Sequence, residues 1–233
     1  MALFAQQQDR VWEYDARVGI NIGGTSPLPL PQEIRKIESY SPQFAPTIEL
    51  SATRFINKRW GLSSGLRVEY KSMKTHAQVK DYRTEILGEG GNKLRGHWTG
   101  DVHTTLTNLY LSIPVQGVYR LNEDFSLTAG LYFAYLMDGV FKGYVNDGYL
   151  RKENPTGDKI VFDKKDKGTY DFSNNMNNFS WGLQAGAQWL MQEKFKLSAQ
   201  LTWGVNELFK SDFKTISFAM YPIYLNIAFG YRF

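Results

Sequence analysis

The chain has 233 residues, and its 27 Lys+Arg and 23 Asp+Glu leave a formal charge of only +4. The charges are interspersed, which gives no nucleic-acid footprint, and the absence of cysteine excludes disulfides and thiolate metal sites. No apolar run nears the ~18 residues of a spanning helix, yet membrane strands need only about 9–11 residues.

The first eight residues, MALFAQQQ, are apolar but too short for a signal peptide. Residues 1–8 read as the end of a cleaved signal or a cloning remnant, and residues 9–233 as one domain. Period-2 alternation then recurs along the chain, and no segment longer than three turns has a helical period. The first strand, about 12–23, sets Tyr14, Ala16, Val18, Ile20 and Ile22 against Arg17, Gly19, Asn21 and Gly23. The second, about 46–56, sets Ile48, Leu50 and Ala52 against Glu49, Ser51 and Thr53. The third, about 59–71, sets Trp60, Leu62, Leu66, Val68 and Tyr70 against Gly61, Ser63, Gly65, Arg67, Glu69 and Lys71. The fourth spans about 107–121, with Leu109, Leu111, Ile113, Val115 and Tyr119 opposite Tyr110, Ser112, Gln116 and Arg120. Strands at about 125–138, 178–191, 195–206 and 223–233 complete a set of eight.

The connections alternate. Asn57–Arg59, Asn122–Asp124 and Gln192–Lys194 are short polar turns, whereas residues 24–45, 72–106 and 139–177 are long connections, with a shorter one at 207–217. Short turns on one rim and long loops on the other are the pattern of a transmembrane barrel. A soluble ligand-binding barrel alternates too, with its apolar face inward. Volume decides between them. The apolar faces carry Trp60, Trp181, Trp189, Trp203, Phe125, Phe133, Phe179, Phe195, Phe229 and Phe233, more than the bore of eight strands holds.

Position agrees. Tyr14, Trp60, Tyr119, Phe125, Trp189, Phe195 and Tyr231 fall near the short-turn ends of their strands, and Tyr70, Tyr135, Phe179 and Trp203 near the long-loop ends. Two aromatic belts around an aliphatic band match the two bilayer interfaces. Arg54 is the exception: alternation puts it on the lipid face near the short-turn rim, or else a bulge or another register re-aims it.

At LTNLYLSIPVQGVYRL (106–121) and NIAFGYRF (226–233) the sequence resembles the PorT-like outer-membrane β-barrel family of Bacteroidetes. The resemblance covers the chain in strand order and length, and PLPLPQEIRKIESYSP (27–42) strengthens it. It implies an outer-membrane barrel; one namesake of the family is tied to assembly of a protein secretion system, and most members have no assigned activity. It transfers no catalytic residue.

The opposite strand faces place Arg17, Glu49, Arg67, Glu69, Lys71, Gln116, Arg120, Gln184, Gln188, Lys196, Gln200, Asn226 and Arg232 in the lumen. A narrow pore and a hydrogen-bonded plug both fit this list. Eight strands leave little bore, which favours the plug. His76, His97 and His103 share one long loop with Ser72 and Asp101. A lipid-modifying Ser/His site is assembled from these on paper, but no local motif fixes it, and the His97/His103 spacing is loose for zinc. The aspartates of 154–172 lack a calcium-loop pattern and read as a solvated loop with a hairpin through Lys159–Phe162. The glycines of 88–91 are a turn without phosphate-loop partners. Pro31 ahead of Glu33, with Ile34 and Ile37, predicts a short helix in the first loop.

The expected molecule is an all-β, eight-stranded, antiparallel up-and-down barrel in a Gram-negative outer membrane. Short turns and both termini are periplasmic, and the long loops are extracellular. No cofactor is expected. The partners are membrane lipid, the barrel assembly machinery, which reads Phe229, Tyr231 and Phe233, and an outer-membrane protein met through the loops or lipid face. A non-enzymatic accessory role leads; a His-bearing lipid-modifying enzyme and a small pore are the alternatives.

Overall fold

The computed structural model describes residues 12–87 and 93–233. Residues 1–8 and the glycine turn at 88–91 lie outside the described residues. Eleven strands follow in order: β1 (Trp12–Pro27), β2 (Ile34–Pro42), β3 (Pro46–Phe55), β4 (Trp60–Leu87), β5 (Lys93–Arg120), β6 (Phe125–Lys152), β7 (Lys159–Phe162), β8 (Gly168–Asp171), β9 (Phe179–Met191), β10 (Phe195–Gly204) and β11 (Met220–Arg232).

Eight of them form a closed antiparallel ring. Pairing runs β3–β1–β11–β10–β9–β6–β5–β4 and returns from β4 to β3. β1 and β11 join from Asp15↔Arg232 to Pro27↔Met220, so the first and last ring strands leave no edge between them. The short turns use local chemistry. Asn57 Oδ1 accepts the amides of Arg59 and Trp60, and Asn122 Oδ1 those of Asp124 and Phe125. Both are side-chain mimics of a backbone turn. At the third turn Gln192 and Glu193 hold φ of 50° and 60°, the left-handed pair of a tight hairpin.

The other rim differs from a rim of loops. β4, β5 and β6 each run 28 residues, against the ~9–11 that a bilayer needs. The segments 72–106 and 139–177, expected as long connections, are therefore largely strand: two tall hairpins rising from the ring. The polarity of the alternation inverts as they rise. Leu66, Val68 and Tyr70 of β4 point outward and are exposed, while Arg67, Glu69 and Lys71 point inward. Two residues higher the inward side turns apolar, with Met73, Val79, Tyr82 and Ile86. Apolar side chains face outward where the surroundings are lipid and inward where they are water.

The extension thus has a core of its own, including Trp98, Val102, Leu106, Phe141, Val145 and Leu150. Leu208, Phe209 and Ile216, from the connection before β11, pack into the same cluster and close the top of the ring. A bridge from Leu87 to Thr169 ties the end of β4 to β8. Lys159–Phe162 is a strand on the edge of β6.

The helix expected after Pro31 is absent, and residues 34–42 are β2. The cause is the edge of β4 above the end of β3. β3 pairs with β4 only as far as Thr47↔Glu69. β2 takes up the same edge from Pro42↔Met73 to Ile34↔Val79, supplying backbone bonds that a helix leaves unmade. Arg54 stays on the outer face in unbroken register, opposite Trp12, with its guanidinium 5.6 Å from the indole centroid. No bulge re-aims it.

The two cores of this molecule differ in what solvates them, so they should separate under mutation. Trp98 is fully buried in the extension, and Trp98→Ala is expected to destabilise it by about 3–5 kcal/mol. Hydrogen exchange should show lost protection in the upper halves of β4–β6, with membrane-level amides unchanged. Uniform loss around the ring would contradict two separable cores.

Candidate functional sites: the polar lumen and the histidine face

Every lumen residue read from the alternation points inward, and all are buried except Arg120 and Arg232, which are partly exposed at the short-turn rim. Glu49 on β3 is the centre. Its Oε1 accepts from Arg17 Nη2 on β1 at 2.5 Å, and its Oε2 from Arg67 Nε on β4 at 2.6 Å. Arg67 then crosses the lumen to Gln200 of β10 (2.6 Å), whose amide donates to Gln116 of β5 (2.7 Å). Gly230 makes room for Arg17: a Cβ there would overlap the arginine's aliphatic stem.

A second cluster lies above. Glu69 accepts from Ser112 at 2.6 Å and from Asn21 at 3.1 Å, with Lys71 Nζ at 3.5 Å. Asn226 bridges Asn21 and Thr47. Lys71 ends among three rings, 4.7 Å from Tyr132, 5.4 Å from Tyr110 and 5.7 Å from Tyr224. Those rings offer the ammonium π faces where water is excluded. Lower down, Lys196 pairs with Asp15 at 2.7 Å, and Glu13 takes both Arg120 and Arg232. Gln184 donates to the Leu131 carbonyl, and Gln188 lines the recess at the short-turn rim.

Sequence reasoning missed Glu13 and Asp15. The signal was present, since both share the period-2 face of Arg17. They matter: six cations (Arg17, Arg67, Lys71, Arg120, Lys196, Arg232) face four carboxylates (Glu13, Asp15, Glu49, Glu69). Paired at these distances, the side chains fill the bore of a narrow ring.

The aromatic positions lie on the outer face. At the short-turn rim Trp60 packs on Tyr119, Phe125 on Trp189, and Phe195 on Tyr231, with ring centroids 4.7, 5.7 and 5.8 Å apart. Phe179 and Trp203 are exposed near the opposite rim, as are Tyr70 and Tyr135. Tyr14 and Phe229 are exposed too, and the Phe233 amide donates to the Tyr14 carbonyl.

The histidines do not assemble with Ser72. His76 and His103 are register partners on β4 and β5, on the outer face of the extension, with rings stacked 4.0 Å apart. Tyr144 of β6 stacks on His103 at 4.4 Å, and Lys167 Nζ lies 4.5 Å from that tyrosine ring. Asp101 Oδ2 is 3.3 Å from His76 Nε2. Burial, and then the neighbouring His76, hold His103 below the usual imidazole range. Ser72 lies four residues away along β4, about 13 Å at strand rise. Its hydroxyl is engaged with the Leu106 carbonyl and Thr107. His97 is six residues from His103, about 20 Å, and faces Asp81 at 2.8 Å. Two His–Asp pairs and a tied-up serine are not a nucleophile–base–orienter chain. Among the described residues no three His, Asp or Glu side chains converge on a metal position. The loop aspartates are also spread out; Asp166 accepts the Asp163 amide and Asp171 the Ser173 amide.

Among solved structures the similarities are weak. The attachment invasion locus protein Ail of Yersinia pestis aligns with a TM-score of 0.40 and 14% identity, over 95% of this chain and 98% of its own. Neisserial surface protein A aligns at 0.37 and 9% identity, over 95% and 97%. OprG of Pseudomonas aeruginosa aligns at 0.31 and 14%, over 95% and 94%. No curated protein sequence matches. A family described as outer membrane protein beta-barrel domain matches residues 4–210. With its closed antiparallel ring and apolar outer face, the chain belongs to the outer membrane protein β-barrel domain family.

Proposed function

We propose that this protein is a closed, non-enzymatic outer-membrane barrel, accessory to a partner complex of secretion or surface assembly. The observation that carries the reading is the filled lumen: an ion-paired network at membrane level beneath an apolar cluster that covers the ring. A blocked bore and a histidine face without a nucleophile leave surfaces as the working parts. The tall hairpins of β4–β6 are the largest such surface outside the bilayer.

In this reading the molecule is a PorT-like barrel of a Bacteroidetes outer membrane. The β5 strand with Leu109, Tyr110, Ile113 and Pro114 and the final Gly230, Tyr231 and Phe233 support that branch. Both termini and the short turns are periplasmic, the hairpins extracellular, and the two aromatic sets sit at the interfaces. Residues 9–233 form the single domain.

Extraction of the native outer membrane in mild detergent, followed by capture of the barrel, is expected to retain one protein partner in fixed stoichiometry through a high-salt wash. Recovery of a lone monomer would contradict the accessory role. Phe229, Tyr231 and Phe233 are the segment read by the assembly machinery. Deleting Phe233 should therefore reduce membrane insertion more than it reduces the stability of folded barrel. Equal insertion of truncated and full chains would rule that out.

A further inference from the structure

The outer face of the extension carries an ordered polar pattern that the lumen plug does not use. Directly above the lipid-facing residues of β4, β5 and β6, two register rows cross the sheet. The lower row is Lys74↔Thr105↔Lys142 and the upper is His76↔His103↔Tyr144. Lys74 and Lys142 are exposed, and neither is in an ion pair among the described residues. Asp171, the register partner of Lys142 on β8, accepts the Ser173 amide at 3.0 Å; hydrogen bonds from Ser173, and then the charge of Lys142, hold its carboxyl below the usual range, so Lys142 is partly balanced while Lys74 is not. The two lysines stand two strand spacings apart, about 10 Å, so their flexible stems can converge on one phosphoryl group. The upper row is preorganised by ring stacking at 4.0 and 4.4 Å.

Height selects the occupant. Tyr70 marks the upper end of the lipid-facing band on β4. Lys74 is four residues beyond it and His76 six, which at ~3.3 Å per residue and a tilt near 40° gives about 10 and 15 Å. A simple phospholipid headgroup layer is only about 5–7 Å deep. A phosphate at the lysine row with further polar groups at the histidine–tyrosine row requires a larger, sugar-bearing headgroup. Continuity with the lipid-facing band puts the acyl chains of such a molecule on the same three strands.

We propose that this face docks the phosphorylated saccharide headgroup of a membrane glycolipid, with the phosphate held by Lys74 and Lys142 and the sugar edge against His103 and Tyr144. The leaflet follows from the outward orientation proposed above; the site itself does not depend on it.

The test uses the full chain in phosphatidylcholine nanodiscs with both leaflets alike, so that orientation drops out. Bound glycolipid is counted by native mass spectrometry. The probes are diphosphorylated lipid A, the same glycolipid dephosphorylated, and phosphatidylglycerol. The expected result is preferential retention of diphosphorylated lipid A, reduced about thirtyfold in Lys74→Ala/Lys142→Ala, as two near-surface cations imply. Lys164→Ala/Lys165→Ala, with the same charge removed farther along the hairpin, should bind as the parent does. Heat-modifiable migration confirms folding of each variant. Equal binding of the phosphorylated and dephosphorylated forms would overturn the proposal, as would equal loss in both double variants. Phosphatidylglycerol bound as tightly as lipid A would replace the glycolipid with an ordinary anionic phospholipid and also overturn it. Failure of the orientation alone would show separately, as inaccessibility of the hairpins to labelling on whole cells.

Discussion

One carboxylate between two guanidiniums organises the interior. A ring of eight strands in lipid cannot send its polar side chains outward, and its bore is too narrow to solvate them freely. Buried charges there must pair. Glu49 joins β3 to Arg17 on β1 and to Arg67 on β4, and Arg67 reaches through Gln200 to Gln116 on the far side. Five of the eight ring strands are thereby tied across the lumen. Gly230 is where it is because the stem of Arg17 must pass over it.

The second organising fact is a change of solvent along single strands. β4, β5 and β6 leave lipid and enter water without ending, and their apolar faces exchange sides as they do so. The upper segment needs its own core, which the connection before β11 completes with Leu208, Phe209 and Ile216. Lys71 sits at the junction. Its ammonium is shared by Glu69 and three tyrosine rings, the last charged group before the interior turns apolar. The proposed role follows from this closure, since a filled lumen shifts attention to the surfaces above and around the membrane.

Much of this was legible in the sequence. Ring number, strand order, face assignment and the inward set from Arg17 to Arg232 follow from period-2 alternation and side-chain volume. The extensions were not, and the reason is physical. After Tyr70 the alternation continues, but the apolar residues change parity: Leu66, Val68 and Tyr70 give way to Met73 and Val79. A pattern reader sees that phase change as the end of a strand. A register shift after Val79 hides the continuation further. β2 was misread because Ile34 and Ile37 fit a helical edge locally, and only the unpaired edge of β4, far away in sequence, decides for a strand. The histidines were visible as residues but not as a stack. Their pairing depends on the β4–β5 register, which sets His76 against His103 and leaves Ser72 and His97 out of reach.

The most direct test of the central claim is the unfolding free energy of Glu49→Gln in lipid or detergent, followed in urea by heat-modifiable migration. Removing the carboxylate leaves two guanidiniums buried without their shared partner, so a loss of about 3–5 kcal/mol is predicted. Glu38→Gln, which breaks the exposed pair with Lys36, should change stability by under about 1 kcal/mol. If the two variants unfold alike, and alike with the parent, the lumen network does not hold the barrel together.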